Sequence, residues 1–189
     1  MWVEQFTRKK SNYILDCINN IPNLIQETLS TTHIKCHELV HKLNNVTSIY
    51  ILGKGLSYPV AMETALKIKE ISYIHAEGFG GSAMKHGPLA LIDINTPIIV
   101  FMFNDEHLSL MKIVTHEIKA RGAYIIAITD DEKITKFEGV DDFILIPNNG
   151  YLTPLLGIIP MQILAYELSI KRNINPDRPK NLAKTVTVD

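Results

Sequence analysis

Val46-Thr47-Ser48-Ile49-Tyr50-Ile51-Leu52-Gly53-Lys54-Gly55-Leu56-Ser57 is the stretch on which the fold turns. Its first seven residues are mostly aliphatic, β-branched or aromatic and run straight into a Gly-Lys-Gly turn. Ser57-Tyr58-Pro59 then reads as the opening of a helix. A short apolar strand, a tight turn and a helix form the repeating unit of a parallel sheet covered on both faces.

The same alternation continues toward the C-terminus. Residues 97–103 (PIIVFMF) read as a second strand, 106–121 as a long helix, 123–129 (AYIIAIT) as a third strand and 143–147 as a fourth. A helix over 152–171 closes the unit, and a further extended piece is expected at 72–76. Toward the N-terminus, residues 9–29 carry Tyr13, Ile14, Cys17, Ile18, Ile21, Leu24 and Ile25 at helical spacing. That helix is expected to break near Pro22, with a second helix over 33–44. The expected architecture is α/β: three layers, with a doubly wound, mainly parallel sheet flanked by helices. Residues 175–189 are polar, hold Pro176 and Pro179, and show no helical period; yet Leu182, Ala183, Val186 and Val188 are too apolar for a discarded tail.

Composition narrows the function classes. The chain has 189 residues, 46% hydrophobic and 21% charged, with a formal net charge of −1. Its 19 basic and 20 acidic residues are dispersed, with no basic stripe for nucleic acid and no polybasic helix for a membrane. Phosphate recognition would therefore be local. The apolar run 152–170 is broken by Pro154, Gly157, Pro160, Gln162 and Glu167, so no membrane span is expected. Cys17 and Cys36 fall on helical stretches and read as core thiols of a chain in a reducing compartment, the cytoplasm. His75 and Glu77 do not make a metal constellation, and no metal or cofactor is expected.

Several residues are candidates for chemistry, each with an ordinary structural reading beside it. The turn Gly53–Ser57 stands where open parallel sheets bind ligands, and Ser57 is placed to donate to an anion; it reads equally as a structural turn. Glu63, Lys67 and Glu70 share one helix stripe at i, i+4 and i+7, either as a solvated ion pair or as a base beside a cation. His86 precedes Gly87-Pro88 at a short helix start, where nearby N–H dipoles favour neutral imidazole. Spacing does not choose between that role and a polar surface.

Three separated segments carry a resemblance. Lys67-Ile68-Lys69-Glu70-Ile71-Ser72-Tyr73-Ile74-His75-Ala76-Glu77, then Lys85-His86-Gly87-Pro88-Leu89-Ala90-Leu91-Ile92-Asp93, then Asn181-Leu182-Ala183-Lys184 with Thr187-Val188, resemble the isomerase part of the glucosamine-6-phosphate synthase (glutamine–fructose-6-phosphate aminotransferase) family, in its order and spacing. The likeness covers about residues 46–189 and points to the second of that family's two sugar-isomerase (SIS) domains. It implies a helical lead-in at 1–45, an SIS domain at 46–173 and a lid-like tail at 174–189.

The resemblance also implies roles. Glu70 corresponds to the carboxylate that moves a proton between C1 and C2 of the hexose, with Lys67 assisting. His86 corresponds to the ring-opening histidine lent to the neighbouring subunit's site. Lys184 corresponds to the tail amine that binds the open-chain sugar and forms a Schiff base at C2, and Ala183 to a backbone contact. Fructose-6-phosphate and glucosamine-6-phosphate are the implied ligands, a homodimer the implied assembly and amino-sugar synthesis the implied setting. Departures from the pattern are equally specific. Trp2 stands where the family's amide-hydrolysing domain has its cysteine, and neither that domain nor the first SIS domain with its phosphate loop matches here. Gly81-Ser82-Ala83-Met84 replaces Ala-Gly-Glu-Leu, and Lys180 replaces an arginine. A partner supplying the missing domains is therefore expected for full activity. The alternatives are a stand-alone, non-catalytic phosphosugar-binding regulatory module and a hexose-phosphate isomerase that does not aminate.

Overall fold

A computed structural model describes residues 8–182 of the chain. Its elements run α1 (Arg8–Leu43), β1 (Ser48–Gly53), α2 (Ser57–Ser72), β2 (His75–Gly80), β3 (Pro97–Phe101), α3 (Leu108–Lys119), β4 (Tyr124–Thr129), β5 (Asp142–Leu145) and α4 (Thr153–Lys171), with short 3-10 segments at Gly81–His86, Pro88–Leu91, Glu132–Lys136 and Gly150–Leu152. The five strands pair in the order β2-β1-β3-β4-β5, all in parallel. The sheet is thus doubly wound as expected, and its order reverses between β1 and β3.

Strands β3 and β4 have almost no polar face. Pro97 to Phe101 are buried throughout, as are Ile125 to Thr129, because helices cover both sides. On one face Ile49, Ile51, Ile99, Phe101, Ile126 and Ile128 pack under α1, α2 and α4. On the other, Leu52, Ile98, Val100, Ile125 and Ala127 pack under α3 with Met84 of the 3-10 segment. α4 is long and apolar enough to cross a membrane by length and composition. Here it is a core helix: Leu156, Met161, Leu164, Ala165 and Leu168 are fully buried against the sheet and its neighbouring helices. Gly157 lets it approach closely, since a Cβ there would lie 3.0 Å from Phe103 Cζ and 3.1 Å from Phe101 Cε1.

Two expectations need correction. The N-terminal region is one helix of 36 residues, not two, with Pro22 inside it. Between the two expected helices, Ser30, Thr31 and Thr32 bond back along one continuous helix: Ser30 Oγ and Thr31 Oγ1 each donate to Glu27 O at 2.9 Å, and Thr32 Oγ1 donates to Thr28 O at 2.7 Å. The extended piece expected at 72–76 begins only at His75 and runs to Gly80. Tyr73, in the left-handed region at φ 59°, first ends α2.

A cluster on α1 and the β4–β5 edge ties the long helix down. Asp142, buried at the start of β5, accepts from Lys35 at 2.7 Å, from Lys42 and from the Tyr124 hydroxyl. Burial alone would raise the Asp142 pKa, but these hydrogen bonds outweigh it and hold the group at about 2. Burial and the same contact push the Tyr124 phenol well above its ordinary value.

Candidate functional site

The cleft at the carboxyl ends of the strands, where the sheet order reverses, is the position such folds favour for ligands. It measures about 560 Å³ and is lined by Asp105, Glu106, Asp130, His107, Tyr13 and Tyr151 among others, with no lysine or arginine among the described residues. Carboxylates without a balancing cation disfavour a phosphate. The turn below is also closed. Ser57 Oγ donates to Lys54 O at 2.8 Å and accepts from Lys54 N–H at 2.9 Å. The Ser57 and Tyr58 amides bond Lys54 O and Gly55 O. The His107 ring lies over Gly55, whose φ of 59° needs a residue without a side chain. Ser57 therefore sits at the expected place with its hydroxyl committed to the turn. A smaller, apolar cleft lies under the start of α1, beside Ile14, Cys17 and Leu152.

The acid–base candidates lie elsewhere, on the outer face of α2. Residues Ser57, Ala61, Thr64, Ala65, Ile68 and Ser72 turn that helix toward the core, which leaves Glu63, Lys67 and Glu70 on the opposite side. Lys67 Nζ bonds Glu70 Oε2 at 2.7 Å and lies 3.7 Å from Glu63 Oε1, with Lys67 and Glu70 about one-third exposed. The hydrogen bond to Glu70, countered in part by burial, raises the Lys67 pKa and keeps the ammonium charged. Neither cleft is lined by this pair. Met62 and Leu66 beside it are exposed. A positioned carboxylate with an adjacent cation can take a proton from a carbon acid and steady the charge that develops, provided a second surface encloses the substrate.

His86 does not join them. It ends the 3-10 segment whose Met84 packs in the core beneath α3, so it belongs to the layer opposite α2. It is exposed, next to Lys85, which bonds Glu117 at 2.7 Å. Ala183 and Lys184 lie outside the described residues. The chain just before them is held at the end of α2: the Lys180 N–H donates to the Tyr73 hydroxyl at 2.6 Å, and the Lys180 ammonium stands 4.5 Å from the centre of the Tyr73 ring. Periodicity gave no sign of this contact, because it joins residues 107 positions apart.

The family model of the SIS domain matches residues 42–170. The chain is 41% identical over 173 residues to glutamine–fructose-6-phosphate aminotransferase [isomerizing] of Pyrococcus horikoshii, covering 91% of this chain and 28% of that protein. It is 45% identical over 148 residues to the protein of that name from Legionella pneumophila strain Lens, covering 78% of this chain and 24% of the relative. The solved C-terminal domain of glucosamine-fructose-6-phosphate aminotransferase from Francisella tularensis superimposes with a TM-score of 0.85 at 30% identity, over 93% of this chain and 49% of that one. The chain thus spans less than a third of the length of these curated relatives.

Proposed function

The chain belongs to the SIS domain family, and from that membership we propose that it is the C-terminal half of the isomerase unit of a glutamine–fructose-6-phosphate aminotransferase. In this reading residues 1–45 lead into the domain at 46–173, and 174–189 form a lid. The substrate is fructose-6-phosphate and the product glucosamine-6-phosphate. Lys184 condenses with the C2 ketone, losing water, and ammonia displaces it to leave the C2 imine. Glu70 takes a proton from C1 to give the enolamine and returns one to C2, while the C1 hydroxyl loses its proton as the aldehyde forms. Lys67 stays protonated beside Glu70 and steadies the developing charge. His86 opens the sugar ring in the site of a second copy, and Ala183 contacts the sugar through its backbone.

The observation that carries the reading is the Lys67–Glu70 pair, 2.7 Å apart and within one turn of the residue that holds the tail. Its open position on α2, and the placement of His86 in the opposite layer, support assembly with a second copy and with a first SIS domain that brings the phosphate site. The committed Ser57 hydroxyl and the acidic cleft weigh against the alternative of a stand-alone phosphosugar-binding module, which needs a phosphate site within this chain. The enzyme reading fits the cytoplasm, where sugar phosphates are made.

The test is reconstitution. The chain is mixed with a separately produced first SIS domain of a relative, and conversion of fructose-6-phosphate with ammonium is followed. Glucosamine-6-phosphate is expected from the mixture and not from either part, with loss on Lys184→Ala. Tight fructose-6-phosphate binding by the isolated chain, unchanged by Lys184→Ala, would favour the regulatory module. Glucose-6-phosphate as the sole product would favour the simple isomerase.

A further inference from the structure

α4 is apolar all the way round, yet one side of it is open. A helix of that composition belongs inside a larger body. It packs against both α1 and α2 and lies between them in the layer over one sheet face. Leu156, Met161, Leu164, Ala165 and Leu168 fill its buried side. Away from the sheet stand Leu155, Ile159, Tyr166 and Ile170. At ~100° per residue these four fall within about 60° of one another, in a stripe about 22 Å long. Leu155, Tyr166 and Ile170 are each about half exposed. The opposite layer differs: α3 shows Ser109, Ile113 and His116 to solvent, with one large apolar residue among them.

Polar groups border the stripe on both sides. Toward α1, the Glu167 carboxylate lies 3.5 Å from His33 Nε2 and 3.4 Å from His37 Nδ1. Toward α2 stand Glu63, Lys67 and Glu70, on the outer face of the same layer. An apolar centre with a polar rim is how a protein interface is built. The length of the solved Francisella tularensis domain points to the partner. This chain accounts for 49% of it, which leaves a body of about equal size to cover the stripe.

We infer that the outer face of α4 docks the first SIS domain of the isomerase unit, which thereby roofs the Glu70–Lys67 pair and keeps water from it. The inference rests on the proposed function and deepens it by naming the docking surface and its partner. One docked domain buries the stripe and encloses the pair together, because both lie on the same side of one helical layer.

The full chain is titrated with the separately produced first SIS domain of the Francisella tularensis relative, and Kd is read by calorimetry. Wild type is expected to bind one to one. Tyr166→Ala is expected to raise Kd about 30-fold or more, the scale of a truncated aromatic at the centre of an interface. Ile170→Glu is expected to abolish binding, and Ile113→Glu, on the opposite layer, to leave Kd unchanged. All three positions are about half exposed, so circular dichroism and Tm are expected to match wild type. Should Ile170→Glu unfold, Tyr166→Ala decides alone. Equal Kd for wild type and Tyr166→Ala, or no complex with wild type, overturns the docking face. A chain that dimerises alone, turns monomeric in Ile170→Glu and ignores the first SIS domain assigns the face to a second copy and overturns it as well. Undiminished glucosamine-6-phosphate from mixtures with Tyr166→Ala and Ile170→Glu overturns the docking face and leaves the proposed function standing. A complex that depends on Tyr166 but forms no product overturns the proposed function and leaves the docking face standing.

Discussion

Glu70 and Cys36 show how a side chain takes its chemistry from its surroundings. Glu70 lies on the open side of α2 with Lys67 at 2.7 Å, so it is reachable and beside a cation. Glu70→Gln keeps the shape and removes the carboxylate that the proposed function uses as base. In the reconstituted system kcat is expected to fall about 10²–10⁴-fold, with α2 still folded by circular dichroism. A fall below threefold would take the proton transfer away from Glu70. Cys36 is the opposite case. It is fully buried and its thiol donates to Pro160 O at 3.3 Å. Burial, with the nearby Glu167 carboxylate, pushes its pKa up to about 12. Since the thiolate is the reactive form, iodoacetamide at pH 8 is expected to leave Cys36 unmodified in the native chain and to label it after denaturation.

At the scale of elements, the lesson lies in how helices are allowed to approach. Gly157 places α4 against two buried rings, Phe101 and Phe103, whose centroids are 5.8 Å apart. An alanine there gains about 1 kcal/mol of helix propensity but drives a methyl to 3.0 Å from a ring held on all sides, which costs about 1–3 kcal/mol. Gly157→Ala is expected to lower stability by about 1 kcal/mol in urea unfolding; a gain would mean that the rings can yield. The strand and helix types were readable because burial on both faces writes itself as short apolar runs, as in Pro97 to Phe101. The continuity of α1 was not readable. Pro22 is a breaker by local preference, and packing of Cys36, Leu39, Val40 and Leu43 into the core overrides it.

Across the whole molecule, α1 is tied to the β5 edge of the sheet through Asp142. Asp142→Asn removes the charge that Lys35, Lys42 and Tyr124 share, at an expected cost of about 1.5–3 kcal/mol; both lysines can still reach water. The sign of the pH effect follows from its pKa, held at about 2 against 3.8 in the unfolded chain. Between those values the unfolded chain binds more protons than the folded one. The stabilisation is therefore complete above about pH 4 and fades as pH falls toward 2. Denaturation at pH 2 and pH 6 is expected to show a difference between wild type and Asp142→Asn that shrinks at the lower pH; a constant difference would refute the linkage. The amino-acid sequence by itself determined the layered α/β fold, the parallel strands and the Glu70–Lys67 stripe, because each follows from periodicity or from spacing within one element. Only the tertiary structure decided that Ser57 is spent on its turn, that the strand-end cleft is acidic, that His86 belongs to the layer opposite Glu70, and that Tyr73 grips Lys180. Those facts depend on which distant segments meet, and contacts across 107 residues leave no local pattern in a chain.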